Sequence, residues 1–237
     1  MASLFFAINP LAFAHTTIND QGIEGTTVKT YINIPHGCGD ATKEGNLGIE
    51  AMAVVFPNAL DSEPTRDDTG EAISLSEVIT GANDHNGGLV VVSPRVVQDY
   101  NVFSNITPIR DANNNIHGIY YTDGYLDPGL VGYAPFQATV GSFVPESCAK
   151  SLAVKVAIAN YCTKHSGVRR ADIWIGKLTN VFTDPNIVSV DFWPQLIINR
   201  DLENNPLDPS CGEGYDASLE PSAADIDQYL LIDGYQP

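Results

Sequence analysis

The chain has 237 residues, of which 43% are hydrophobic and 17% charged, and it carries a formal net charge of −17 at pH 7. The apolar share suffices for a sizeable core and is too high for a disordered chain, while the low charge content argues against a helical bundle built on Glu, Lys and Leu heptads. So acidic a surface repels phosphate backbones and anionic lipid, which argues against nucleic acid and membrane surfaces as partners.

Residues 1–14 form an apolar run that ends in Ala12-Phe13-Ala14, an A-x-A cleavage pattern. The run is shorter than the roughly 20 residues a helix needs to cross a bilayer. It also lacks a positive n-region, so the reading is a signal peptide whose true start lies upstream of Met1; the alternative is a first strand or helix of the mature fold. Cleavage after Ala14 leaves the polar stretch His15-Thr16-Thr17-Ile18-Asn19-Asp20 at the mature terminus. No other run approaches a membrane span, so no membrane insertion is expected.

Beyond this segment, strand-like runs alternate with turn clusters. Thr26–Ile34 alternates with β-branched and aromatic residues, and Ile49–Phe56 is a nearly continuous apolar run suited to a buried strand. Gly88–Val92 and Val96–Phe103 flank Pro94, and Ile116–Thr122 follows the turn signal Asn113-Asn114-Asn115. Ala134–Val140, Ser151–Ala159, Ala171–Leu178, Ile187–Val190 and Gln195–Asn199 complete the series. Ser74–Thr80 is the one helix candidate, too short for a crossover. Many short strands without intervening helices predict an all-β fold, an antiparallel β-sandwich of immunoglobulin-like type with long loops, over residues 15–200. Residues 201–237 hold nine acids and no Lys or Arg. They read as a separate acidic C-terminal segment, loosely ordered and pinned by Cys211.

Cys38, Cys148, Cys162 and Cys211 are an even set, as expected for two disulfides in an exported chain. Between Cys148 and Cys162 lies the β-like run Leu152–Ala159, which as one straight strand holds its ends far beyond the ~7 Å Cα separation a disulfide tolerates. Each of these two cysteines is therefore expected to pair with Cys38 or Cys211.

The chemistry centres on histidine. A mature N-terminal His15 offers an α-amine and an imidazole Nδ1 that chelate one metal ion in a six-membered ring. An α-amine ordinarily titrates at about 8 and an imidazole at about 6.5, so both can lose a proton to a metal at neutral pH. Nitrogen ligands in a tetragonal arrangement suit Cu(II). A second imidazole or a carboxylate would complete the site. His36, in Ile34-Pro35-His36-Gly37-Cys38, follows the next strand, and a hairpin pairing Thr16–Ile18 with Thr26–Ile34 would bring it toward His15. His85 and His117 are further candidate ligands, in loop-like contexts. No G-x-S-x-G, phosphate loop or paired His on a helix is present, which disfavours hydrolase and nucleotide chemistry.

The stretch Ala14–Ile18, then Val28–Ile34, then Pro35-His36-Gly37-Cys38-Gly39 resembles the start of the YcnI-like family of exported copper-binding proteins, over about residues 14–57. The resemblance implies a β-sandwich whose N-terminal His, here His15, binds Cu(II) with the help of a carboxylate (Glu50 or Glu24) and a neighbouring tryptophan (Trp174 or Trp193). A broader similarity, through His15 to Cys38, Val144–Ser151, Val154–Cys162 and Ala171–Trp174, is to the CorA and MopE copper-binding surface proteins of methane-oxidising bacteria. Those use two His and an oxidised Trp that stands two residues before a His. Neither Trp174 nor Trp193 is so placed; Asn83-Asp84-His85 is the comparable spot, with Asn in place of Trp.

The expectation is an exported, non-enzymatic copper-binding protein of the periplasm or cell surface. Its ligand is the copper ion, and its role is acquisition, buffering or delivery to a protein partner in that compartment. The competing readings are a metal-free adhesive surface sandwich and a histidine-brace copper monooxygenase acting on polysaccharide. The last would use Tyr120, Tyr121, Tyr125 and Tyr133 as a flat aromatic face.

Overall fold

The computed structural model describes residues 15–38, 47–58, 61–81, 92–98, 101–163 and 171–235. The signal-peptide segment, His85 and most of the Gly88–Val92 run lie outside the described residues. Strands β1 (Thr17–Ile18), β2 (Gln21–Ile23), β3 (Thr27–Ile34), β4 (Ile49–Val55) and β5 (Thr65–Arg66) come first. They are followed by β6 (Val92–Val96), β7 (Phe103–Arg110), β8 (Ile116–Gly124), β9 (Gly132–Val140) and β10 (Ala149–Lys155). The last are β11 (Ala157–Cys162), β12 (Ala171–Trp174), β13 (Val188–Ser189), β14 (Gln195–Asn199) and β15 (Tyr215–Leu219), before helix α1 (Ala223–Tyr229).

The strands form three sheets, in the orders β1-β3-β9-β6, β2-β14-β10-β15-β5 and β13-β12-β11-β4-β8-β7. The two smaller sheets face one side of the six-stranded sheet. Ile32 and Ile34 of β3, Phe136 of β9, Leu152 and Val154 of β10 and Leu196 and Ile198 of β14 share a core with Met52 and Val54 of β4, Tyr121 of β8 and Ile158 of β11. The protein is thus an all-β sandwich, as the strand pattern predicts. Pairing is mostly antiparallel, with the parallel pairs β10–β15, β12–β13 and β14–β2 as departures.

On β4, residues 52 and 54 point into this core while Ala51, Ala53 and Val55 point the other way, into a second cluster with Ile226 and Leu230 of α1. A strand covered on both faces needs apolar residues at every position, which is why Ile49–Phe56 reads as an unbroken hydrophobic run.

The predicted strand Ser151–Ala159 is divided at Val156, whose N–H bonds the Pro194 carbonyl (2.8 Å). The chain leaves the five-stranded sheet as β10 and continues in the six-stranded sheet as β11. Cys148 and Cys162 stand at its two ends and do not pair with each other. The bridges are Cys38–Cys162 (Cα separation 6.1 Å) and Cys148–Cys211 (5.3 Å), so Cys148 and Cys162 each pair with Cys38 or Cys211 as expected, although the run between them is not one straight strand. Two bridges of this kind belong to oxidising compartments. Among the described residues no helix is long and apolar enough to cross a membrane.

Residues 201–235 are acidic but not loose. Strand β15 runs parallel to β10, burying Ala217 and Leu219, and α1 covers the outer face of the six-stranded sheet. Arg200, 4% exposed, gathers the Pro145 (2.8 Å), Ala149 (3.3 Å) and Asn205 (2.7 Å) carbonyls. This fastens the turn after β14 to the start of β10. Beside this turn the buried Glu24 carboxylate accepts from the Phe143 and Asp201 N–H groups and from the Asn205 side-chain amide. Ser74–Thr80 forms only one 3-10 turn, Leu75–Glu77, whose Ser74 makes no side-chain cap.

Candidate functional site

The expected pairing of the first strand with β3 is present: Thr17 lies opposite Asn33 and Ile18 opposite Ile32. Continuing that register sets His15 level with Pro35, so His15 and His36 stand at the same end of the β1–β3 pair. The half-buried His15 ring stacks on Phe192, with centroids 4.4 Å apart and planes at 15°. It meets Trp174 edge-on at 5.1 Å and 88°. Phe192 and Trp174 also contact each other, so the three rings form one cluster. Trp174 packs against the inner core, and its Nε1 is buried with no hydrogen-bond partner among the described residues.

Two neighbours frame this cluster. Thr16, 1% exposed, accepts a hydrogen bond at Oγ1 from the side-chain amide of Asn160 on β11 (3.0 Å). Asp172 lies two residues from Trp174 on the same face of β12, and its Cα is paired with Asn160. It is the carboxylate that strand order carries to the Trp174 side of the sheet.

The carboxylates and the second tryptophan named from the resemblance stand elsewhere. Glu24 is committed to Phe143, Asp201 and Asn205. Glu50 acts on Tyr235, whose phenol is raised first by burial and then by Asp123 and Glu50, so its charge lies toward the cover of the outer face. Trp193 belongs to the outer cluster as well, with the Lys177 ammonium 5.7 Å from its ring centre. It presses so closely on Gly176, at φ +58°, that a side chain there would overlap its indole.

His36 occupies the turn after β3, its Nδ1 against the carbonyl of Gly37. Gly37 is held between Leu47 and Pro128 with no room for a Cβ, which fixes the turn. His117 on β8 is 4% exposed and donates from Nε2 to Asp111 (3.1 Å). Its ring stacks on Tyr229 of α1 at 5.1 Å, and its Nδ1 is buried without a hydrogen-bond partner among the described residues. Burial alone would raise the Asp111 carboxyl, but hydrogen bonds from Asn115, His117 and the Asn115 and Asn113 N–H groups outweigh it and hold the pKa at about 2. Asp225, on the same helix as Tyr229, is raised chiefly by burial and is hydrogen-bonded by Asn58. His117 is therefore set between a turn and a helix, on the face opposite the core that Trp174 joins. Among the described residues no three His, Cys, Asp or Glu side chains converge as a metal cage.

The tyrosines do not form a flat face. Tyr121 is fully buried and donates to the Pro135 carbonyl (3.0 Å), while Tyr120, on the opposite side of β8, donates to the Tyr229 and Leu231 carbonyls. Only Tyr125 and Tyr133 of the four are exposed.

No protein-family profile and no curated protein matches the chain. Among solved structures it is similar to an uncharacterized protein from Nocardia farcinica described as having an immunoglobulin-like fold. The identity is 11% and the TM-score 0.38, over 79% of this chain and 98% of that one.

Proposed function

We propose that this is an exported copper-binding protein that holds Cu(II) at a mature N-terminal His15 and serves copper acquisition, buffering or delivery in the periplasm or at the cell surface. The observation that carries the reading is the seat of His15, stacked on Phe192 and touching Trp174. A histidine two residues before a two-residue strand would ordinarily fray into solvent; this one is set among aromatic rings.

Cleavage after Ala14 would free the α-amine beside the imidazole, giving the two nitrogens of a chelate on a single residue. Such a site needs few other side chains, so it does not require a three-residue cage. Asp172 is the carboxylate whose strand position suits a further ligand, in place of Glu50 or Glu24. The indole of Trp174 would wall the ion on one side. Copper is cargo here, and no catalytic base is called for.

The test is to export the chain with a working signal peptide, determine the first residue of the product, and titrate it with Cu(II) while recording electron paramagnetic resonance. The expected result is a chain beginning at His15 with one nitrogen-ligated, tetragonal Cu(II). One extra residue ahead of His15 should weaken the tightest site by at least about 100-fold, because the amine is lost as a ligand. A product that holds Cu(II) no better than an unstructured peptide would remove the metal reading and leave the surface sandwich.

A further inference from the structure

Strand β1 is two residues long and meets β3 in only two register pairs, too short a ladder to fix by itself the direction of the two residues ahead of it. Something else sets His15 against Phe192 and Trp174. Thr16 is 1% exposed, and its side chain is bonded across the sandwich to Asn160, itself 2% exposed. Asn160 is the one amide in a strand whose other residues are Ala157, Ile158, Ala159, Tyr161 and Cys162. Its Oδ1 finds no hydrogen-bond partner among the described residues. A buried amide with one group unsatisfied is a net cost to stability, so its bond to Thr16 is not explained by packing. Either orientation of the amide preserves that bond, because a hydroxyl both donates and accepts.

The anchor is itself held rigidly. Both sulfurs of the buried Cys38–Cys162 bridge lie 3.7 Å from the Asn160 carbonyl oxygen. Asn160 is also paired on both sides, with Met52 of β4 and Asp172 of β12.

We propose that Asn160 is the positioning residue for His15: by gripping Thr16 it delivers the chain start, already shaped, into the space between Phe192 and Trp174. This rests on the copper reading only for its purpose; the positioning itself exists without metal. Groups that orient a metal ligand typically change affinity 10- to 100-fold when removed.

The experiment uses the chain beginning at His15, as wild type and as Asn160→Leu, Thr16→Val and Thr16→Ser. Metal-free proton NMR of the His15 ring reads the position directly, because stacking on Phe192 and Trp174 displaces its signals. Asn160→Leu and Thr16→Val should return those signals to the free-histidine position while the other resonances keep their dispersion, and Thr16→Ser should leave them displaced. Cu(II) affinity should fall at least about tenfold in the first two variants and be retained in the third. If Asn160→Leu fails to fold, Thr16→Val at the strand end carries the comparison. Displaced signals that persist in Thr16→Val overturn the proposal. If the wild type shows displaced signals but holds no copper, the copper reading falls and the positioning stands.

Discussion

His15 and His117 both rest against an aromatic ring, yet the two sites are built for different ends. His117 is closed in: 4% exposed, hydrogen-bonded to Asp111 and capped by Tyr229 of α1. Its surroundings spend their hydrogen bonds on one another, in the turn 111–115 and at the start of the helix. His15 is half-buried between two rings at the edge where the sandwich layers meet, and Trp174 beside it keeps an N–H with no hydrogen-bond partner among the described residues. Each site keeps one buried nitrogen with no hydrogen-bond partner among the described residues, Nδ1 of His117 and Nε1 of Trp174, so what separates them is exposure: His117 is closed over and His15 is half-buried. Residue type cannot separate the two cases. Burial can.

Substitution sharpens the contrast most. His15→Ala should lower Cu(II) affinity by at least about 100-fold with a change in unfolding free energy under about 0.5 kcal/mol. His117→Ala should leave copper titrations unchanged and cost about 2–3 kcal/mol in urea denaturation, through lost packing on Tyr229 and a stranded Asp111. Equal copper loss in both would break the distinction.

Acid should act on the His117 side next. Asp111 sits below its ordinary value, so its charged form is favoured in the native state. Its contribution is complete above the unfolded value near 4 and disappears as pH falls through about 2. Native stability should therefore drop by roughly 1–2 kcal/mol across that window, and Asp111→Asn should flatten the profile. A variant whose acid profile matches the wild type would remove Asp111 from the account. The smallest effect belongs to the helix. Ser222→Ala, which removes the acceptor of the Asp225 N–H bond, should cost about 1 kcal/mol. It should raise hydrogen exchange in α1 without altering the His15 ring signals.

Much of this was readable from the residues. Alternation marked β3 and β9, the unbroken apolar run marked β4, and the β-like run between Cys148 and Cys162 argued against their pairing, an outcome that holds although the run is divided between two sheets. What escaped was set by neighbours far away in sequence. Strand β7 contains Pro108 and, as a sheet edge, exposes half of its residues, so it carries no two-sided signal. Helix α1 lay hidden in the acid-rich tail, although Pro221-Ser222 followed by Asp225 is a helix-start signature. At the candidate site, the sequence named His15 and left two tryptophans open; that His15 stands against Trp174 and not Trp193 depends on which face of the sheet each joins. Phe192 and Asp172 became visible only once β11, β12 and β13 were laid side by side.

The placement of the two bridges has a mechanical consequence. Pulled from its two ends, the chain would not transmit tension along its whole length. The load would enter through residues up to Cys38, cross to Cys162, run backward along β11 and β10 to Cys148, cross to Cys211 and leave through the last segment. Everything between Cys38 and Cys148, and between Cys162 and Cys211, hangs slack on that path. The sheet-switching strand is thus the tendon of the molecule, and most of the six-stranded sheet is shielded from stretch as long as the bridges hold.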